Sequence, residues 1–149
     1  MVIMHDSAHE DLARAVRARA SALGNVTLRE DVPFNEMEGF FERAKLIVNT
    51  STYEGFPNTF VQAALHGTPI LSWTVDPDGV LARYGIGNCA EGSYDRLVAS
   101  AEQVCASESL RAELGKRAAE YAREHHDVNR SAEVLKTLIR ALTGRGAAA

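Results

Sequence analysis

Short apolar runs of strand length alternate along this chain with longer stretches whose apolar residues recur at helical spacing. The opening run Met1-Val2-Ile3-Met4 predicts a buried strand that starts at or before Met1 and ends at His5-Asp6. Ser7 and Glu10 form a capping-box pattern, and Leu12, Val16 and Leu23 among many alanines predict a helix to about residue 22, closed by Gly24. Residues 26–29 predict a second strand leading into Glu30-Asp31-Val32-Pro33. A short helix follows, with Met37, Phe40, Phe41 and Ala44 on its apolar face. Residues 44–49 and 68–73 predict two more strands around a helix, and residues 86–90 a last short one. Three helices, roughly 94–105, 108–124 and 129–142, finish the chain, and residues 143–149 read as a frayed tail. Strands alternating with helices predict an α/β fold: a doubly wound, mostly parallel, Rossmann-like sheet over residues 1–142, with ligands in the crevice beyond the strands' carboxyl ends.

The centre of that pattern is the run from Ser51 to Pro69. Pro57 suits a first helical position, where its fixed φ is helical and its missing N–H costs nothing, and Gly67 is the natural helix stop. Phe56 is then the N-cap, and a phenyl ring accepts no hydrogen bond from the first turn. The amides of Asn58, Thr59 and Phe60 become candidates to stay unpaired at the positive end of the helix dipole, where an anion fits. Glu54 supplies a carboxylate at the rim, Gly55 lets a ligand approach the backbone, and Gln62 lies on the same helix face as Asn58. A helix capped by solvent or by a side chain from elsewhere fits the spacing equally well.

Composition narrows the partners. The 149 residues carry 46% apolar and 24% charged side chains, the balance of an ordinary globular protein. A net charge of −4 argues against a nucleic-acid binder, because a phosphate backbone rewards an excess of Lys and Arg. Two cysteines, Cys89 and Cys105, make no disulfide framework and lack metal spacing, so buried, reduced thiols and a cytoplasmic compartment are expected. No signal peptide or membrane-spanning run is visible.

Glu54-Gly55-Phe56-Pro57-Asn58, then Gln62-Ala63, then Gly67-Thr68-Pro69, resembles the E-x(7)-E region of the family-four retaining glycosyltransferases, two-domain enzymes of GT-B fold that use nucleotide sugars. The resemblance continues through residues 75–80 and extends more loosely from Met1 to about residue 142, always to the C-terminal, donor-binding domain. It departs from the family pattern at Gln62, which stands where the second glutamate belongs.

The resemblance implies the donor-binding half of an enzyme that moves a sugar from a UDP- or GDP-type donor to an acceptor, with no cofactor and no metal. It casts Glu54 as the group that meets the transferred sugar near the reacting carbon. The amides around Gly55, Phe56, Asn58 and Thr59 would hold sugar and diphosphate. Gln62 would take the ribose diol with one accepted and one donated hydrogen bond in place of a charged double acceptor, and backbone near Asp31 and Val32 would form the nucleobase wall.

It also aligns Met1 with the second strand of the donor domain. The first strand–helix unit, the basic pyrophosphate clamp and an N-terminal acceptor domain would then lie outside this chain, and the chain alone is expected to be inactive. The gap in the sheet would close by direct pairing of the strand from Met1 with the strand from Leu46, or by another chain filling it through self-association, or else the chain would be a fragment and only partly ordered. The full enzyme would be cytoplasmic or peripheral to a membrane. Two other classes share the architecture: a non-catalytic α/β binding or interaction module, and a nucleotide-sugar epimerase or hydrolase.

The remaining chemical candidates have plainer readings. Asp76-Pro77-Asp78 spells a D-x-D metal motif, but Pro-Asp-Gly is a common turn. His125-His126-Asp127 reads as a helix end with His near the negative pole. His66 reads as a C-terminal helix residue, Ser7 as a cap and His5-Asp6 as a local turn. The aromatic residues are scattered along the chain and predict no stacking platform.

Overall fold

The structure, a computed structural model, describes residues 1–4 and 10–144. The order is β1 (Val2–Met4), α1 (Glu10–Ser21), β2 (Leu28–Glu30), α2 (Phe34–Arg43), β3 (Ile47–Asn49), α3 (Asn58–Leu65), β4 (Ile70–Ser72), α4 (Val80–Tyr84), β5 (Gly87–Cys89), α5 (Tyr94–Ala106), α6 (Glu108–His125) and α7 (Val128–Leu142). The α/β alternation predicted from the apolar pattern is therefore present, with every pairing parallel. The predicted Ser7 cap and the His5-Asp6 turn lie outside the described residues, as does most of the tail. Among the described residues no helix is long and apolar enough to cross a membrane.

Two compact units divide the chain, Met1–Phe40 and Phe41–Ala149. In the first, β1 pairs with β2 in the register Val2↔Leu28, and α1 is the crossover between them. The buried stripe of α1 is Ala13 and Ala20 with Val16 half-buried, whereas Leu12 is 61% exposed, so the small residues rather than the expected leucine face inward. Arg17 spans from α1 to the end of β2 with two hydrogen bonds of 2.8 Å to the Glu30 carboxylate. That pairing holds the exposed Glu30 carboxyl below its ordinary range.

In the second unit β4 is the central strand of the order β3-β4-β5, with Ile47↔Ile70 and Ile70↔Gly87 in register. All three residues of β4 are buried, as a parallel strand covered on both faces requires. Phe60, Ala63 and Ala64 of α3 and Ala118, Tyr121 and Ala122 of α6 supply much of the surrounding core. Burial of a phenyl ring such as that of Phe60 contributes about 1.5–3 kcal/mol.

Alpha-3 ends as its glycine predicts. Gly67 takes a φ of 65°, its N–H donates to the Ala64 carbonyl at 3.0 Å, and the Thr68 N–H reaches back to the Ala63 carbonyl at 2.9 Å. Gly67 also faces Gly115 of α6, and a Cβ on Gly115 would collide with the Gly67 carbonyl oxygen. The two glycines let α3 and α6 touch backbone to backbone. The buried Thr68 hydroxyl then donates to the Phe41 carbonyl at 2.8 Å within the same unit.

Three expectations are corrected. The strand from Met1 does not pair with the strand that follows Leu46: the described strands form two separate sheets, β1-β2 and β3-β4-β5. Each pairing that forms belongs to a βαβ unit with one crossover helix, α1, α3 or α4. The outer edge of β3 consequently has no strand partner among the described residues, and Val48 is 46% exposed there. Residues 80–84, for which the sequence predicted no element, form α4; the Asp76 carboxylate accepts the Leu81 N–H at 2.9 Å and starts that helix. The cysteines are free but not buried, Cys105 being exposed and Cys89 half-buried.

Candidate functional site

The loop from β3 to α3 is organised by one side chain. Asn49, the last residue of β3, donates from Nδ2 to the Glu54 carboxylate at 2.7 Å and accepts the Ser51 N–H on its Oδ1 at 3.0 Å. An amide is suited to this because it donates and accepts at the same time. From the loop after β4, the Thr74 hydroxyl lies 3.1 Å from the carbonyls of both Ser51 and Thr52. Glu54 is thus half-buried and oriented beyond the carboxyl end of the sheet, the edge where parallel α/β sheets bind ligands.

The start of α3 differs by one residue from the expected placement. Pro57, not Phe56, is the N-cap, with φ −65° and ψ 122°, because its extended ψ puts Asn58 at the first helical position. The physical consequence survives the shift, since proline offers no side-chain acceptor either and no side chain caps the helix. One of the three amides is nevertheless taken: the Phe60 N–H donates to the Pro57 carbonyl at 3.0 Å. The amides of Asn58 and Thr59 have no partner among the described residues. They sit at the positive end of the α3 dipole.

Gly55 is exposed, and a Cβ built on it would meet no protein atom within 4 Å. Its place is therefore open on its side-chain side and free of any internal packing demand. Gln62 is half-buried on α3, and its side-chain amide makes no hydrogen bond to a described residue. Val32 belongs to the first unit, where it follows the carboxyl end of β2 and the left-handed Asp31 (φ 50°).

Asp76-Pro77-Asp78 is a turn, as its sequence predicts. Pro77–Gly79 form a single 3-10 turn in which Asp78 and Gly79 both take left-handed φ, 55° and 65°. One Asp76 oxygen already accepts the Leu81 amide; burial raises this carboxyl above its ordinary value, and the Leu81 N–H works against that rise. His125 closes α6, His126 is its C-cap, and Asp127 caps α7 by accepting the Asn129 and Arg130 amides at 2.7 and 3.3 Å. His66 caps the C-terminus of α3 and stacks on Phe41 with centroids 6.3 Å apart.

The aromatic residues do not stay scattered. Folding gathers Phe56, Phe60, Tyr84 and Tyr121 with His125 and His126 into one cluster with centroid separations of 4.7–6.4 Å. Sequence separation hid it. The local signals were the four-residue spacings of Phe56 with Phe60 and of Tyr121 with His125.

A helix N-terminus with open amides and an oriented carboxylate, both at the carboxyl end of a parallel sheet, fit a Rossmann-like architecture. Comparison with known proteins agrees. WaaG, a glycosyltransferase involved in lipopolysaccharide biosynthesis, matches with a TM-score of 0.67 at 17% identity, over 83% of this chain and 34% of that chain. A chain of the GtfA/B complex matches with a TM-score of 0.59 at 19% identity, over 83% of this chain and 26% of that chain. The fold is that of the Rossmann-like domains of GT-B glycosyltransferases. This chain spans about a third of the first of these proteins and about a quarter of the second. No curated protein sequence matches it. The family model for glycosyl transferases group 1 matches residues 2–106, more than half of the chain. The protein belongs to that family.

Proposed function

We propose that this chain is the donor-binding half of a retaining glycosyltransferase, taking a UDP- or GDP-linked sugar and passing it to an acceptor hydroxyl. The observation that carries this reading is the pair of open amides, Asn58 and Thr59, at a helix N-terminus beside a carboxylate held in place by Asn49. In the reaction the bond from the anomeric carbon to the bridging oxygen of the β-phosphate breaks, that oxygen leaving with the diphosphate, and a bond to the acceptor oxygen forms on the same face of the sugar. The acceptor's proton leaves with the diphosphate or solvent. Negative charge builds on the departing diphosphate, and preorganised amides at the α3 terminus oppose that charge without having to reorient. Glu54 accepts hydrogen bonds from the sugar and fixes it over that terminus. Gly55 and Phe56 carry the intervening backbone, and Gln62 takes the ribose.

In this reading the acceptor site and the cations that clamp the pyrophosphate come from other parts of the enzyme, so the chain alone binds donor without turning it over. Gln62 favours one variant of the reading, a module that binds a nucleotide without transferring sugar, because a neutral amide holds a diol less firmly than a carboxylate. Calorimetric titration with UDP, GDP, UDP-glucose and GDP-mannose tests the proposal. Saturable binding of a nucleoside diphosphate or its sugar supports it, and the absence of binding by all four at millimolar concentration refutes it.

A further inference from the structure

Between Glu54, which is tied to Asn49, and Pro57, which is fully buried, the candidate loop has only Gly55 and Phe56 to set its path. Gly55 touches nothing on its side-chain side. Phe56 is 41% exposed, yet its ring packs at 5.4 Å from the imidazole of His126 and meets the Phe60 ring edge-on at 6.4 Å. His126 is itself held, because its Nε2 lies 3.1 Å from the Tyr121 hydroxyl. Tyr121 is buried and packs against Tyr84 of α4 and His125 of its own helix.

We propose that His126, oriented by Tyr121, is a positioning residue for the Glu54–Pro57 loop, setting the distance between the Glu54 carboxylate and the Asn58 and Thr59 amides through the ring of Phe56. This deepens the donor-site reading and rests on it for its functional consequence. Burial, with His125 behind it, holds His126 below the ordinary imidazole range, so at pH 7 the ring facing Phe56 is neutral and packs as an aromatic. The groups around the cluster are Asp78 near Tyr121, Arg83 over the Tyr84 ring at 5.5 Å, and Glu124 at 3.9 Å from His125. The bridge therefore runs from the α3 loop through α6 to α4 and the Asp76–Gly79 turn, joining two loops that leave the carboxyl end of the sheet.

Backbone and aromatic NMR of the full chain separates this from a purely structural role. In His126→Ala the amides of Gly55, Phe56, Asn58 and Thr59 and the Phe56 ring signals should shift, while the strand amides of β4 stay in place and the fold is retained by circular dichroism. His126→Phe should restore most of the loop shifts. Tyr121→Phe, which keeps the packing and removes the hydroxyl, should shift the Phe56 ring signals without unfolding the chain. It serves the test if His126→Ala does not fold. UDP-glucose or GDP-mannose, whichever the wild type binds, should bind about tenfold more weakly to His126→Ala and near normally to His126→Phe. Loop signals unchanged in both His126→Ala and Tyr121→Phe overturn the proposal. Wild-type protein that binds no nucleotide refutes the donor-site reading alone, because the loop shifts are read without ligand.

Discussion

Replacing Gly55 by alanine separates a ligand contact from a folding requirement. A Cβ at this position meets no protein heavy atom within 4 Å, and Gly55 is not among the glycines with left-handed φ. Within the protein the substitution is therefore unopposed. By restricting the unfolded chain it should stabilise the fold by about 0.4–1 kcal/mol. For a chain of this size that is a rise in Tm of roughly 1–4 °C. If a nucleotide sugar lies against this backbone, the same methyl intrudes into the bound ligand and costs about 1–3 kcal/mol, the usual penalty for overfilling a packed site. Affinity should then fall about 5- to 150-fold. Thermal melts and calorimetric titration of wild type and Gly55→Ala read the two quantities from one preparation. A higher or unchanged Tm with weakened binding supports the argument. Unchanged affinity places the ligand away from Gly55 and refutes it.

Three further outcomes follow from the same geometry. Asn49→Ala removes both the 2.7 Å hydrogen bond to Glu54 and the 3.0 Å bond from the Ser51 amide, so donor affinity measured by calorimetry should fall about tenfold or more, a hydrogen bond to a charged group contributing about 1.5–3 kcal/mol. Gln62→Glu restores a charged double acceptor towards a ribose diol and should tighten binding of UDP-glucose or GDP-mannose several-fold, by about 1 kcal/mol, with little gain for a 2′,3′-dideoxy analogue. His126 titrates below its ordinary value of 6.5 in the folded chain, so the unfolded chain takes up the proton first as pH falls. The stability linked to this group is complete above pH 6.5 and is lost as pH falls below it towards the folded-state value. Thermal melts between pH 5 and 7.5 should show a shallower pH dependence in His126→Phe than in wild type.

The strands and helices were legible because apolar runs and helical spacing are local, and the α3 terminus because Pro57 and Gly67 constrain backbone within a few residues. The one-residue shift of the cap, from Phe56 to Pro57, reflects a ψ angle that sequence does not fix. The role of Asn49 was missed. It reads as the end of a strand, and its double hydrogen bond depends on how the loop folds back over it. The aromatic cluster was missed for a different reason: Phe56 and His126 meet only when α6 lies against α3, a contact permitted by the Gly67–Gly115 pair. The unpaired edge of β3 was half legible, since the sequence raised the problem and pointed to a pairing that the separate βαβ units do not make.

The central claim is that the Asn58 and Thr59 amides beside Glu54 form the cradle for a diphosphate-linked sugar. Amide NMR of the labelled chain, titrated with UDP-glucose and with GDP-mannose, addresses it directly. The account predicts saturable shifts that are largest at Glu54, Gly55, Phe56, Asn58, Thr59 and Gln62. Saturable shifts confined to other residues, with these amides unmoved, would contradict it.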